Sequence, residues 1–357
     1  MLQDIGQFGF YITNVCNFNC DNCSYLNNYS IKGHQLWQDN EETCRQWAER
    51  VNPTRIIIGG GEPMLNPDFI KWINGLATLW PYAEIRIFTN GSCFDRWPNL
   101  YDELVQYHGR VNISISGHNE HKKIHEIQVI KSFLRGKITE EKQHHRNLRV
   151  WAWKKIYNDI KDVSCHEINS LNDYHNLPDY IKKEIEELHK VDINTYVDYD
   201  EPVDDYEVYT DENNIRIGWA RWDEFGTAAV KFDPVTQSMT LHNSDPDRAV
   251  SICHGGHCAH IKDGKLYKCQ VMSNLPDMFE QKFPFNISQE DKDLILSYEP
   301  ALPTWNSDKL NNFFQRLKNR DPIPQCKFCP EQKIYTKIYA GTKKIKVIKL
   351  KSNATLD

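Results

Sequence analysis

Short apolar runs alternate with stretches of helical spacing through the first 155 residues. Phe8-Gly9-Phe10-Tyr11-Ile12 reads as a strand, and Thr54-Arg55-Ile56-Ile57-Ile58 as a second, buried strand ending in glycines. Residues 40–50 read as a helix. From Asp68 to Leu79 the apolar positions Phe69, Ile70, Trp72, Ile73, Leu76 and Leu79 fall near a helical period. Glu84 to Thr89, Val111 to Ser116 and Leu148 to Trp153 predict three further strands. Strands alternating with helices imply parallel βα units, whose chemistry sits in the loops after the strand C-termini.

The pattern is weaker beyond residue 160. Asp179 to Lys190 reads as a helix. Tyr196 to Glu212 then carries eight acidic residues, four tyrosines and no basic residue. That composition predicts a solvated acidic loop; a lid or a contact for a cationic substrate is the sharper alternative. The tail from Lys343 to Lys351 partly alternates lysine with apolar residues, as an edge strand guarded by lysines does. These shifts divide the chain into residues 1–250 and 251–357.

Composition narrows the classes. The chain has 357 residues, 40% hydrophobic and 12% aromatic, and a net charge of −6. That is enough for a large core, and the acidity gives no support to a nucleic-acid partner. No apolar run approaches a membrane span, and the first residues lack a secretory pattern, so a cytoplasmic location is expected. Eleven cysteines in a reducing compartment call for metal or redox chemistry rather than disulfides. Cys44, Cys93 and Cys165 stand alone and read as ordinary thiols.

Cys16-Asn17-Phe18-Asn19-Cys20-Asp21-Asn22-Cys23 has the spacing C-x3-C-x2-C directly after the first strand. Three thiolates this close can bind three irons of a cubane and leave the fourth iron open, as a catalytic centre requires. A zinc site completed by His34 is the other reading. Gly59-Gly60-Gly61-Glu62-Pro63 ends the second strand, where glycines permit close approach of the backbone and Glu62 adds an acceptor.

In this order, after consecutive strands, these two motifs resemble the signature of the radical SAM superfamily. The resemblance covers roughly residues 8–155. It implies a partial (β/α)6 TIM-like barrel in the first unit and a [4Fe–4S] cluster on Cys16, Cys20 and Cys23. It also implies an S-adenosylmethionine whose methionyl end is held by Gly60, Gly61, Glu62 and Pro63. Thr89-Asn90-Gly91 looks like the family's T-N-G ending, which adds Asn90. Ser114 and Ser116 match a ribose or carboxylate contact, and Lys154 is a weaker carboxylate candidate. Asn22 departs from the aromatic residue common before the third cysteine. Such a cluster would be oxygen-sensitive.

A second cysteine group follows. Cys258 to Cys269 reads as a hairpin about Asp263-Gly264, a favoured two-residue turn, which sets Cys258 across from Cys269. Cys326-Lys327-Phe328-Cys329 adds a C-x2-C pair. Four such thiols can close a zinc site or a cubane. His254, His257 and His260 stand near enough to substitute, although each reads more simply as a polar histidine. Gly264 and Cys269 resemble the Gly-x4-Cys of the SPASM and twitch auxiliary-cluster domains. With five cysteines in this region, the resemblance implies the shorter twitch type with one auxiliary [4Fe–4S] cluster. Cys253 fits the family's first ligand by its distance to Gly264, whereas Cys258 fits the hairpin, and the choice stays open.

The function expected from this resemblance is cleavage of S-adenosylmethionine and hydrogen abstraction from a small polar substrate, which is oxidised or rearranged. A flavodoxin or ferredoxin would donate the electron. Modification of a ribosomally made peptide is the alternative. With the first strand expected from about residue 8, no leader-binding domain of the kind such enzymes often carry is expected, although a separate binding protein could do the same job. A non-catalytic iron–sulfur or zinc protein is the alternative of a different class. Trp151, Trp153, Trp219 and Trp222 are pocket candidates whose default reading is core packing.

Overall fold

The computed structural model describes residues 3–20, 23–29, 31–117, 123–144, 206–221, 224–225, 229–233, 235–253, 259–332, 336–337 and 340–341. The strands of the first half are β1 (Gln3–Thr13), β2 (Asn19–Cys20), β3 (Val51–Gly60), β4 (Glu84–Thr89), β5 (Val111–Gly117) and β6 (Ile138–His144). Among the described residues four helices intervene: α1 (Trp37–Ala48), α2 (Phe69–Leu79), α3 (Leu100–Val105) and α4 (Lys123–Phe133). The second half brings β7 (Tyr206–Asp211), β8 (Arg216–Arg221), β9 (Glu224–Phe225), β10 (Val230–Asp233), β11 (Ser238–Leu241) and α5 (Pro246–Ser251). It continues through β12 (Ala259–Lys262), β13 (Lys265–Tyr267), α6 (Gln270–Glu280), α7 (Gln289–Leu296), α8 (Ser307–Lys318), β14 (Thr336–Lys337) and β15 (Ala340–Gly341).

Among the described residues, nine strands form one sheet in the order β13-β12-β1-β3-β4-β5-β8-β7-β6. From β12 to β8 every neighbouring pair is parallel, while β13, β7 and β6 run antiparallel to their neighbours. Strand alternation gives the sheet two unlike faces. Phe8, Phe10 and Ile12 of β1, Ile56 and Ile58 of β3, Ile85 and Ile87 of β4, Ile113 and Ile115 of β5 and Trp219 of β8 enter the main core. Trp47, Trp72, Ile73, Leu76, Leu100 and Leu104 of α1, α2 and α3 complete it. The β1, β3, β4, β5 and β8 registers place Gln7, Arg55, Glu84, Asn112 and Arg216 on the opposite face. Toward the carboxyl ends this face carries the small residues Gly9, Gly59, Gly218, Ala220, Ser114 and Ser116, interspersed with Tyr11, Ile57 and Phe88.

The expected elements through residue 117 are present, with α1 beginning at Trp37 rather than near 40. Asp68 fixes that start, because its carboxylate accepts from the backbone N–H of Trp37 at 3.0 Å. Of the acidic stretch expected as a solvated loop, residues 196–205 lie outside the described residues, while 206–211 form a strand inside the sheet. Its carboxylates are partnered: Asp211, 1% exposed, accepts from the Tyr101 hydroxyl at 2.6 Å, and Glu207 accepts from that of Tyr209 at 2.5 Å. Residues 148–153, 179–190 and 343–351 lie outside the described residues.

The hairpin of β12 and β13 turns at Asp263 and Gly264, both at positive φ, as an Asp-Gly two-residue turn requires. It joins the main sheet beside β1. A second core lies beyond it, built from Met272, Leu275 and Met278 of α6 with Leu26, Tyr29 and Ile31. The segment just after Cys23 is thus gripped by the C-terminal part of the chain. Among the described residues no helix is long and apolar enough to cross a membrane.

Candidate functional site

The two leading motifs meet at the carboxyl ends of β1, β3 and β4. Gly61 N–H donates to Thr13 O and Glu62 N–H to Val15 O, each at 2.8 Å, so the glycine loop lies along the backbone that leads into Cys16. A Cβ on Gly61 would stand 2.1 Å from Val15 O, and one on Gly60, whose φ is +136°, 2.4 Å from Thr13 O. The glycines are required by this contact between two loops.

Glu62 is wholly buried. Its carboxylate accepts from Thr89 Oγ1 at 2.7 Å and Met64 N at 3.1 Å on one oxygen, and from Asn90 N at 2.7 Å on the other. Burial pushes its pKa up to about 7 against these three donors. Asn90 continues the network toward the cysteines, donating to Asn17 Oδ1 at 2.9 Å and lying 3.9 Å from Cys16 Sγ. Glu62 and Asn90 therefore tie the end of β4 to both motif loops.

The three cysteines are half-buried. Burial pushes the Cys16 thiol up to about 12, and Cys23 lies close enough to Cys16 to add to that rise. Cys23 is also raised by burial, opposed by backbone N–H groups of residues 25–28 that point at its sulfur. Cys20 lies on β2, whose residues 19 and 20 pair with Gly341 and Ala340 of β15. The backbone N–H groups aimed at the Cys16 and Cys23 sulfurs suit thiolates whose charge is taken up by iron. The residues present fit a cluster. His34, the alternative fourth ligand, is engaged with Thr13 Oγ1 at 2.9 Å. Pro63 opens a short 3-10 turn capped by the Glu62 side chain.

Ser114 and Ser116 lie on β5, on the face opposite the main core, with Ser114 buried. Lys154 lies outside the described residues, as do Cys165, Cys258, His254, His257, Trp151, Trp153 and Trp222. Trp219 is core, its indole N–H donating to Glu126 Oε2 at 2.7 Å. Cys44 and Cys93 are buried in the main core.

Four of the remaining cysteines converge. Burial pushes Cys269 up to about 12, and both Cys253 and Cys326 add to that rise. Burial also raises Cys329 well above its ordinary value, with Cys269, Cys253 and Cys326 adding to it. Thus a residue after α5, the residue capping α6 and the C-x2-C pair share one neighbourhood, although they span residues 253–329. Among the described residues no three cysteine, histidine or acidic groups close around the position of a single ion.

The sequence reading did not single out the polar cluster beside β12. Lys262 is 1% exposed and bonds Asp277 at 2.5 Å, Asn274 Oδ1 at 2.9 Å and Ser273 O at 2.9 Å. Asp277 also accepts from Asn14 Nδ2 at 2.8 Å, which connects α6 to the start of the cysteine loop. A lysine alternating with apolar residues in Ala259–Lys262 was the available signal.

The chain is 29% identical over 91 residues to a GTP 3′,8-cyclase of Moorella thermoacetica. That match covers 25% of this chain and 28% of the relative, well under half of its length. Among solved structures, Streptococcus suis SuiB bound to S-adenosylmethionine aligns over 92% of this chain and 72% of its own, at 16% identity and a TM-score of 0.36. SuiB bound to the precursor peptide SuiA aligns over 77% and 62%, at 14% identity and a TM-score of 0.36. The model of the radical SAM superfamily matches residues 10–190, which is 181 of the 357 residues and includes Cys16, Cys20, Cys23 and the glycine loop. The chain belongs to the radical SAM superfamily.

Proposed function

We propose that this enzyme cleaves S-adenosylmethionine reductively and abstracts hydrogen from a small polar substrate, with a second [4Fe–4S] cluster on Cys253, Cys269, Cys326 and Cys329. The observation that carries this reading is the joining of the cysteine loop, the glycine loop and Asn90 into one hydrogen-bonded unit at the sheet's carboxyl edge. When bound, the cluster and S-adenosylmethionine supply a 5′-deoxyadenosyl radical; the protein supplies position and dryness.

Cys16, Cys20 and Cys23 hold the cluster in this reading. Gly60, Gly61, Glu62 and Pro63 keep the methionyl end of S-adenosylmethionine against it. Ser114, Ser116 and Lys154 contact the ribose or carboxylate. The small residues on the polar face of a partial barrel leave room for the substrate, and Arg55, Glu84 and Arg86 form a charged floor beneath it. Arg55 bonds Glu84 at 2.7 Å and Arg86 bonds it at 2.8 Å. A floor of this kind suits a polar substrate better than an apolar one. The GTP 3′,8-cyclase relative, named for a nucleotide, is compatible with that class.

Anaerobic reconstitution with iron and sulfide, followed by dithionite, tests the reading. Release of 5′-deoxyadenosine by the wild-type protein, absent in Cys16→Ala, is expected. No nucleoside from an iron-loaded wild-type protein would overturn it.

A further inference from the structure

Five rings run from one cysteine site to the other. Tyr298 stacks on Tyr267 with centroids 5.9 Å apart and planes at 20°, and Tyr267 stacks on His260 at 6.0 Å and 18°. His260 lies 6.0 Å from Tyr11, and Tyr11 lies 5.2 Å from Tyr25. Both ends touch cysteine surroundings. The Tyr298 hydroxyl accepts from the backbone N–H of Lys268, next to Cys269, at 2.9 Å. At the other end, the Tyr25 backbone N–H points at the Cys23 sulfur, and Tyr11 is near enough to feel that sulfur's charge.

The rings are held in place by the fold. His260 and Tyr267 are cross-strand partners in the β12–β13 hairpin, and β12 pairs directly with β1, which carries Tyr11. His260 Nε2 meets Ser273 Oγ at 2.7 Å, while the Tyr11 hydroxyl donates to Asn27 Oδ1 at 2.9 Å and accepts from Asn274 Nδ2 at 3.3 Å. Tyr11 is 2% and His260 4% exposed, so water does not separate them. All four centroid separations lie in the range of favourable aromatic pairs.

We propose that Tyr298, Tyr267, His260, Tyr11 and Tyr25 form the route by which one electron passes between the two cysteine sites. This rests on the second cluster of the proposed function. One electron leaves the reduced centre at Cys269 and enters the oxidised centre at Cys23. The rings mediate the transfer without being oxidised or reduced, so no tyrosine loses its proton and no further reactant is consumed. Close packing matters because electronic coupling decays more steeply across a void than through bonded and touching atoms.

Rapid-freeze electron paramagnetic resonance after photoreduction of the holoenzyme tests the route. It follows redistribution of the electron between the two centres in wild type, Tyr267→Leu and Tyr267→Phe. The leucine variant should slow redistribution, with iron content and both signals intact. The phenylalanine variant, which keeps the ring, should retain the wild-type rate. Should Tyr267→Leu lose iron, Tyr298→Leu at the half-buried end of the ladder is read by the same criterion. An unchanged rate with both signals intact overturns the route and leaves the second cluster standing. A wild-type protein with about four irons and one signal overturns the second cluster and the route together.

Discussion

Glu62 joins three chain segments through two oxygens, and its substitutions separate charge from hydrogen bonding. Glu62→Ala leaves the buried N–H groups of Asn90 and Met64 without acceptors. A loss of about 2–4 kcal/mol in denaturant unfolding is expected. Glu62→Gln keeps one acceptor oxygen and should lose less than half of that. Glu84 gives the protein a pH signature. Burial would raise its pKa, but Arg86 and Arg55 overcome burial and hold it at about 2. Because the folded value lies below the unfolded one, this stabilisation is present above pH ~4.5 and is lost as pH falls toward 2. It amounts to something on the order of 3 kcal/mol. Acid unfolding of Glu84→Gln should lack that slope; an unchanged profile would show that the pair adds nothing. The sequence exposed Glu62 through its glycines. Its partners Thr89 and Asn90 lie a strand away, so the carboxylate's buried setting could not be read from spacing alone.

At the scale of elements, the hairpin was legible because Asp263-Gly264 meets a local backbone demand. Gly264 sits at φ +70°, and a Cβ there would lie 2.7 Å from the Thr43 side chain. Gly264→Val should cost about 1–3 kcal/mol in thermal unfolding and weaken the docking of β12 beside β1. By contrast, β7 was hidden because Glu207 and Asp211 look like solvent-facing acids until Tyr101 and Tyr209 are brought to them. Lys262 was overlooked for the same reason. Lys262→Met strands Asp277 in a partly buried site and should cost about 3–5 kcal/mol. Adding Asp277→Leu should recover much of the loss, which a double-mutant cycle would measure; purely additive losses would deny the coupling.

Over the whole molecule, the chain returns on itself. The first strand receives a C-terminal hairpin on one edge, and the residues after Cys23 pack with α6 in a second core. Cys253 and Cys269 are drawn together with Cys326 and Cys329 by that return. The sequence supplied the motifs of the first cysteine site in full, since C-x3-C-x2-C and the glycine loop are local. The second site depends on long-range folding, and spacing alone left Cys253 and Cys258 as equal choices. The structure groups Cys253 with the other three, while Cys258 lies outside the described residues.

Iron content of the anaerobically reconstituted protein, compared between wild type and the double variant Cys269→Ser/Cys329→Ser, tests the two cysteine sites most directly. Two [4Fe–4S] clusters predict about eight irons per wild-type chain and about four in the variant, with Cys16, Cys20 and Cys23 still loaded. About four irons in both proteins would contradict a second cluster, and none in the wild type would contradict the first as well.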